Sequence, residues 1–351
     1  MMWEYARPRY VDLLPFLAGL LGGVLLLGGR QTLLADGQAK TSTKYTISDI
    51  GAFEPKAIND GGDIVGDRRA KLGPNAVLLR RGRLIELGAL GNAGYSSVSA
   101  INASGEIVGA SNNRPCVWRS GKIRELPTPG YRYGSAVSMN DRGQIVGNVQ
   151  RTSGGPSTAC YWDKGGFHAI RHWKPQDDCK ATGVNAQGTI VGNVYVAASG
   201  KQVGFTWSHG LMTLLNPYPD WIEPYRPAPC PIAINDLGQI LGTCPQLEAI
   251  TAYWWDRPRT KTPVDIWLTP RGFNNRGEVV GYVDPSGNQR WELLAVLWNG
   301  NDVRRLVNQV TKNDDWKLTD ATAINDRGQI VGIGTHHGQP RGFLLTPVNH
   351  G

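Results

Sequence analysis

The spacings on which enzyme chemistry most often rests are missing from this 351-residue sequence. It has no Gly-x-Ser-x-Gly elbow, no glycine-rich phosphate loop, no Cys-x-x-Cys and no His-Glu-x-x-His. These absences exclude the α/β-hydrolase serine, the P-loop nucleotide site, paired-thiol centres and the zincin helix. Helix-type periodicity is nearly lacking between Tyr45 and Pro347, which leaves all-α and α/β folds without support. Cysteine is scarce and odd in number at five, and histidine stands at six. A long apolar run occurs once, from Leu13 to Gly29.

What the chain has in quantity is glycine (45), proline (22), tryptophan (12) and tyrosine (12), the composition of many short strands joined by tight turns. The net charge is +8, and residues 1–39, with three residues of each sign, do not contribute to the excess. The basic residues are dispersed rather than gathered in a stripe, which disfavours nucleic acid as a partner. Residues 1–39 read as a targeting element. Arg7 and Arg9 precede the 17-residue run 13–29, which Arg30 closes. That length fits either a short uncleaved anchor helix or a cleaved signal peptide with Gly37 and Ala39 at its end. The charge bias puts the N-terminus inside and the remaining chain, 40–351, outside the cytoplasm, periplasmic or on the cell surface.

The main chain is built on one repeated decapeptide, seen in Ala323-Ile-Asn-Asp-Arg-Gly-Gln-Ile-Val-Gly332. Its asparagine recurs as Asn59, Asn102, Asn140, Asn185, Asn235, Asn274 and Asn325, with a mean spacing of about 44 residues. Such a period, filled with short strands, is the signature of propeller blades. Each unit divides into four strands. Strand A ends at the asparagine, and an Asp-x-Gly-like turn leads to strand B, whose glycine (Gly66, Gly109, Gly147, Gly192, Gly242, Gly281, Gly332) signals a bulge or a neighbour packed on bare backbone. Strand C carries an aromatic, as in Cys116-Val-Trp118 and Cys160-Tyr-Trp162, expected in the inter-blade core. A second turn leads to strand D.

After the last strand C, Gly342–Thr346, the chain ends without a strand D, whereas Tyr45–Gly51 has the alternation of a D strand and stands before the first A. The expected fold is therefore all-β: a seven-bladed β-propeller of four-stranded blades, the last closed by the N-terminal strand, preceded by an apolar N-terminal helix.

The units Asn-x-x-Gly-x-Ile-Val-Gly, followed by small-aromatic pairs such as Gly204-Phe205 and Gly342-Phe343, resemble the bacterial propeller-like "probable extracellular repeat, HAF family" proteins. The first half of that motif matches in all seven units, while the His-Ala-Phe half is degraded. The resemblance spans about residues 45–347 and implies export and a propeller, with no general activity to carry over. The paired Gly-His and Trp-Asp signature of WD40 repeats does not recur along the units.

Strand alternation sorts the connections. The A–B and C–D turns are short and share one face; the B–C and D–A connections hold every long loop and share the other, where function is expected. The loop 216–229 has five prolines and presents its rings at low entropic cost. The candidate partner contacts on this face are Trp173, Trp221, Tyr225, Arg226 and Trp316. The tight-turn face, with Arg80, Arg81 and Arg83 among its basic residues, is expected to lie toward the membrane.

No residue set points to a catalytic group, a cofactor or a metal. His168 and His172 stand about 13 Å apart if on one strand, and His336 and His337 are expected to point apart. Asp177-Asp178, Asp220 with Glu223, and Asp314-Asp315 read as solvated loop charges. In the fifth A–B hairpin, pairing Asn235 with Gln239 sets Cys230 opposite Cys244, a candidate disulfide in an oxidising compartment; Cys160 with Cys179 is a second candidate, leaving Cys116 free. The function these features favour is a non-catalytic binding or assembly scaffold for a protein or glycan partner. A propeller hydrolase or lyase acting on polysaccharide, and a structural surface protein, are the alternatives.

Overall fold

The computed structural model describes residues 43–348 apart from 72, 92–93, 171–173, 216–229, 246–249, 256–267, 286–292 and 301. The apolar segment 13–29 lies outside the described residues. No helix among those described is long and apolar enough to cross a membrane.

Seven antiparallel sheets follow one another around a ring, each running A-B-C-D, with the first strand Tyr45–Gly51 standing as the D strand of blade 7. It pairs with the last strand, Gln339–Pro347, from Tyr45 opposite Pro347 to Gly51 opposite Gly342. Blade 5 has three strands among the described residues, because 256–267, where its D strand would fall, are not described. The seven-bladed, four-stranded reading therefore holds, and so does its closure. Tyr45 is buried at that seam, and burial pushes its hydroxyl pKa up to about 12.

The A–B hairpin repeats in full detail. The asparagine amide donates to the carbonyl four residues on, and the turn glycine donates back to the asparagine carbonyl. That glycine sits at φ of +76° to +87° in all seven blades, a region L-residues with a Cβ avoid. Strand A then bulges in every blade at the residue three before the asparagine, from Lys56 in blade 1 to Thr322 in blade 7. The bulge explains the strand B glycine. A Cβ at Gly66 would lie 2.1 Å from the Glu54 carbonyl oxygen, and one at Gly332 would lie 2.1 Å from that of Asp320 and 2.5 Å from Phe343.

The core lies between blades. Val65, Ala76, Leu78 and Leu87 of blade 1 pack with Val98, Ile107, Cys116 and Trp118 of blade 2. The strand C tryptophan also clasps the preceding blade: Trp118 Nε1 donates to the Leu87 carbonyl at 3.0 Å and Trp162 Nε1 to that of Pro127 at 2.7 Å. Each ring thus buries apolar surface and keeps its one donor satisfied.

Candidate functional site

Successive A strands touch one another, so they are the innermost strands and line the axis. At the tight-turn end the repeat asparagines, all buried, form a hydrogen-bonded ring. Each Oδ1 accepts the amide four residues on within its own turn, while Nδ2 reaches the carbonyl of the next blade's asparagine. The inter-blade bond runs from Asn59 to Asn102 and then from Asn140 through Asn185, Asn235, Asn274 and Asn325 back to Asn59. Asn102 is the exception, turning its amide to Glu106.

A second ring lies beside the first. The residue after each asparagine accepts the backbone amide of its counterpart in the preceding blade, as Asp60 does from Asp326, Asp326 from Asn275, and Asp141 from Ala103. The bond is missing where the acceptor position holds Ala103 or Ala186, which have no side-chain oxygen. The aspartates of the tight turns are thus inter-blade latches. Their recurrence after the repeat asparagine is the signal for this role in the sequence.

Toward the long-loop end, two clefts lie along the wall of the ring. The larger, about 380 Å³, is lined by Asn113, Tyr133, Ser135, Asn148, Gln150, Ser153 and Lys180, with Ala110, Gly134 and Ser157. Its wall is preformed: Asn148 is held at both ends by Ala181, donating at 3.0 Å and accepting at 2.8 Å, and Gln150 donates to the Gly155 carbonyl at 2.7 Å. The equivalent of Asn148 in blade 4, Asn193, donates to the Pro231 carbonyl, yet its Oδ1 is buried without a partner. Proline stands where Ala181 supplied an N–H.

The smaller cleft, about 190 Å³, is lined by Glu54, Pro55, Lys56, Arg271, Asp320 and Thr322 from the A strands of blades 6, 7 and 1. Lys56 pairs with Asp67 at 2.6 Å and bonds Ser97. Arg271 pairs with Asp320 at 3.1 Å and covers the Tyr282 ring. Burial raises the Asp320 carboxyl above the usual carboxylate range against the opposing charge of Arg271, with Glu54 adding to the rise. Its Oδ1 is buried without a hydrogen-bond partner. The cleft of blades 6, 7 and 1 is therefore lined by opposed charges, and the other by polar groups with a single lysine. No local motif marked Glu54, Arg271 or Asp320, since only closure of the ring brings blades 6, 7 and 1 together.

Of the residues expected to contact a partner, Trp173, Trp221, Tyr225 and Arg226 lie outside the described residues, as do His172, Asp220 and Glu223. Trp316 is described, and it corrects the expectation of an exposed ring. It starts the A strand of blade 7 at 4 % exposure, stacked on His336 and edge-on to Phe343.

His336 and His337 also differ from expectation. His337 (φ +49°) and Gly338 (φ +74°) form a two-residue hairpin turn, so the imidazoles stack at 4.2 Å instead of pointing apart. His168 stacks on Tyr161 and pairs with Asp163 at 3.0 Å. Asp177 and Asp178 are latches rather than solvated charges. Asp177 accepts from Ala197 and Lys174, and Asp178 from Ser157. Burial opposes ionisation of Asp178, but hydrogen bonds from Lys180 and Ser157 outweigh it and hold its carboxyl low.

The cysteine expectations need correction as well. The strand A bulge shifts the fifth hairpin by one residue, so Cys230 stands opposite Thr243 rather than Cys244. The register on which that bridge was argued is therefore not the one formed; the side chain of Cys244 is outside the described residues. Cys160 and Cys179 are separate buried thiols, as is Cys116. Cys179 packs in the cluster of Ala159, the residue beside Cys160, and neighbours on a strand face opposite ways. Burial pushes the Cys116 and Cys179 thiols up to about 12 and that of Cys160 further.

No family model matches the chain, and no curated protein does. Among solved structures it is similar to the β-propeller domain of the Trilobed protease from Pyrococcus furiosus, at 12 % identity and a TM-score of 0.54, covering 87 % of this chain and 98 % of that one. It is also similar to the acylaminoacyl peptidase of Pyrococcus horikoshii (13 %, TM-score 0.52) and a puromycin-hydrolyzing peptidase of Mycobacterium tuberculosis (11 %, TM-score 0.52). The chain spans about half the length of these two, 52 % and 51 %, with 88 % of its own length covered in each. At such identities the likeness establishes the propeller fold alone.

Proposed function

We propose that the protein is an exported, non-catalytic scaffold that holds a protein or glycan partner on its long-loop face. The observation that carries this reading is the larger axial cleft. Its wall offers amides, hydroxyls, a tyrosine ring and one lysine, and its lining includes no carboxylate or imidazole. Such a wall can hydrogen-bond and stack against a polar ligand. Export is supported by the basic residues ahead of run 13–29 and by the HAF-type repeat resemblance. Trp221, Tyr225 and Arg226 extend the partner surface in this reading, and the tight-turn face lies toward the membrane. The full chain on a glycan array, and in capture with extract from its own cells, tests the proposal: Lys180→Ala and Tyr133→Ala should each weaken the bound partner about 10-fold, and unchanged binding by both would reject it.

One observation favours a second reading, a hydrolase or lyase acting on polysaccharide. Glu54 and Asp320 line one axial cleft, and a carboxyl whose pKa burial raises, beside a second carboxylate, is the kind of pairing that glycoside cleavage uses. New reducing ends or unsaturated sugars released from a polysaccharide panel, and lost in Asp320→Asn, would support that reading over the scaffold.

A further inference from the structure

Three carboxylates and two imidazoles that no proposed partner contact uses meet where the propeller closes. Asp314 and Asp315 lie in the connection entering the A strand of blade 7, His336 and His337 in the hairpin between its strands B and C, and Asp49 near the end of the N-terminal strand. The donor atoms of Asp314, His336 and His337 all lie within 4.8 Å of one another.

The state of His336 makes this more than a surface cluster. Its Nδ1 faces Asp49 Oδ2 at 3.2 Å. A carboxylate accepts only, so Nδ1 carries a proton, and in the neutral imidazole Nε2 then holds the lone pair. That Nε2 is sealed from solvent and has no hydrogen-bond partner. The ring is held in place by two stacked neighbours, Trp316 at 4.5 Å and 6° and His337 at 4.2 Å and 29°. A buried acceptor held without a donor is costly, and a carboxylate–imidazole pair with the distal nitrogen free is the arrangement that prepares histidine for a metal ion. His337 supplies the second nitrogen, with Asp314 Oδ2 at 3.9 Å from its Nε2 and Asp315 Oδ2 at 3.6 Å from its Nδ1.

We propose that His336, His337 and Asp314 form a binding site for a borderline divalent cation such as Zn²⁺, with Asp49 orienting His336. Two imidazoles and one carboxylate are a donor set for zinc, water completing a tetrahedron. Ligands about 2.1 Å from zinc stand roughly 3.4 Å apart in a tetrahedron, so the present spread closes by about 1 Å. His337 and Asp314 can make that movement, with side chains 61 % and 73 % exposed, while the packed His336 stays in place. The ion would tie the loop entering blade 7 to the B–C hairpin and, through Asp49, to the strand that closes the ring.

The test is titration calorimetry of the full-length, untagged protein, freed of metal, with zinc chloride, and with magnesium chloride as the hard-ion control. One zinc per chain is expected in the micromolar range, with no magnesium binding. His337→Asn, chosen because asparagine tolerates a left-handed turn position, and Asp314→Asn should each weaken zinc at least 10-fold. Asp49→Asn, which touches no metal, should weaken it about 10-fold. Thermal melting without zinc checks that each variant folds. Zinc should raise the melting temperature of the parent protein and leave that of His337→Asn unmoved. No zinc binding by the parent, or parental affinity in both His337→Asn and Asp314→Asn, would overturn the site.

Discussion

Two alanine substitutions at the same repeat position separate the inter-blade ring from the turn that carries it. Asn102→Ala removes an acceptor of the Glu106 amide at 2.9 Å and of the Ser104 hydroxyl at 2.8 Å, and a donor to the Glu106 carboxylate at 3.3 Å, all inside one hairpin. Asn140→Ala removes the equivalent local acceptor, used by Gln144 at 3.0 Å and Arg142 at 3.1 Å, and the donor to the Gln144 side chain at 3.3 Å, and in addition the donor to the Asn185 carbonyl of the next blade at 2.9 Å. Both asparagines are buried, at 4 % and 6 % exposure. Intrinsic differences between asparagine and alanine therefore cancel in the comparison. The three local bonds are worth about 1 kcal/mol each, so Asn102→Ala should cost about 3 kcal/mol. Leaving a buried carbonyl without its donor adds about 1–2 kcal/mol to Asn140→Ala. Urea unfolding reads the difference directly, and melting should place Asn140→Ala about 2–4 °C below Asn102→Ala. Equal destabilisation, or the reverse order, would show that the ring contributes nothing to stability and refute the reasoning.

Three further expectations concern closure, thiols and pH. Deleting residues 43–52 strips the partner from the last strand and exposes its edge, so the truncated protein should melt well below the parent or aggregate; unchanged melting would contradict closure by the N-terminal strand. Cys116, Cys160 and Cys179 are buried, with Cys116 and Cys179 thiols raised to about 12 and Cys160 raised too, so all three should stay unmodified by iodoacetamide at about pH 8 until the chain is unfolded, as peptide mass mapping would reveal. Asp320 has a raised carboxyl, so the folded chain holds its proton more tightly than the unfolded one. Its contribution therefore weakens as pH rises from the ordinary carboxylate value through the raised one, the reverse of a salt-bridged aspartate held low. Stability of Asp320→Asn relative to the parent should accordingly rise as pH climbs above about 4 in paired urea titrations, and a fall would contradict the assignment.

The blade count, the four-strand unit, the left-handed turn glycines and the N-terminal closing strand were legible because each recurs or is missing at a fixed place in the period. Gly66 and its six counterparts even announced a bulge. What the period did not give was the bulge's place, and one residue's error there moved Cys230 from Cys244 to Thr243. The axial chemistry was hidden for a different reason. Glu54, Arg271 and Asp320 lie in separate repeats and meet only when the ring closes. His336 and His337 were misread because alternation along a strand was extended through a turn, where His337 takes a positive φ. Trp316 read as a loop aromatic, yet it opens the A strand of blade 7 and packs against Phe343.

Partner binding across the axial clefts is tested most directly by blocking one face at a time. In a Cys244→Ser background, cysteine at Ser153, exposed on the rim of the larger cleft, and cysteine at Arg81, exposed on the tight-turn face, each accept a bulky maleimide adduct while the buried thiols of Cys116, Cys160, Cys179 and Cys230 stay protected. Against the glycan or protein partner found with the parent chain, the Ser153→Cys adduct should lose at least 10-fold in affinity and the Arg81→Cys adduct should bind as the parent does. Full binding by the Ser153→Cys adduct, with loss confined to Arg81→Cys, would contradict it.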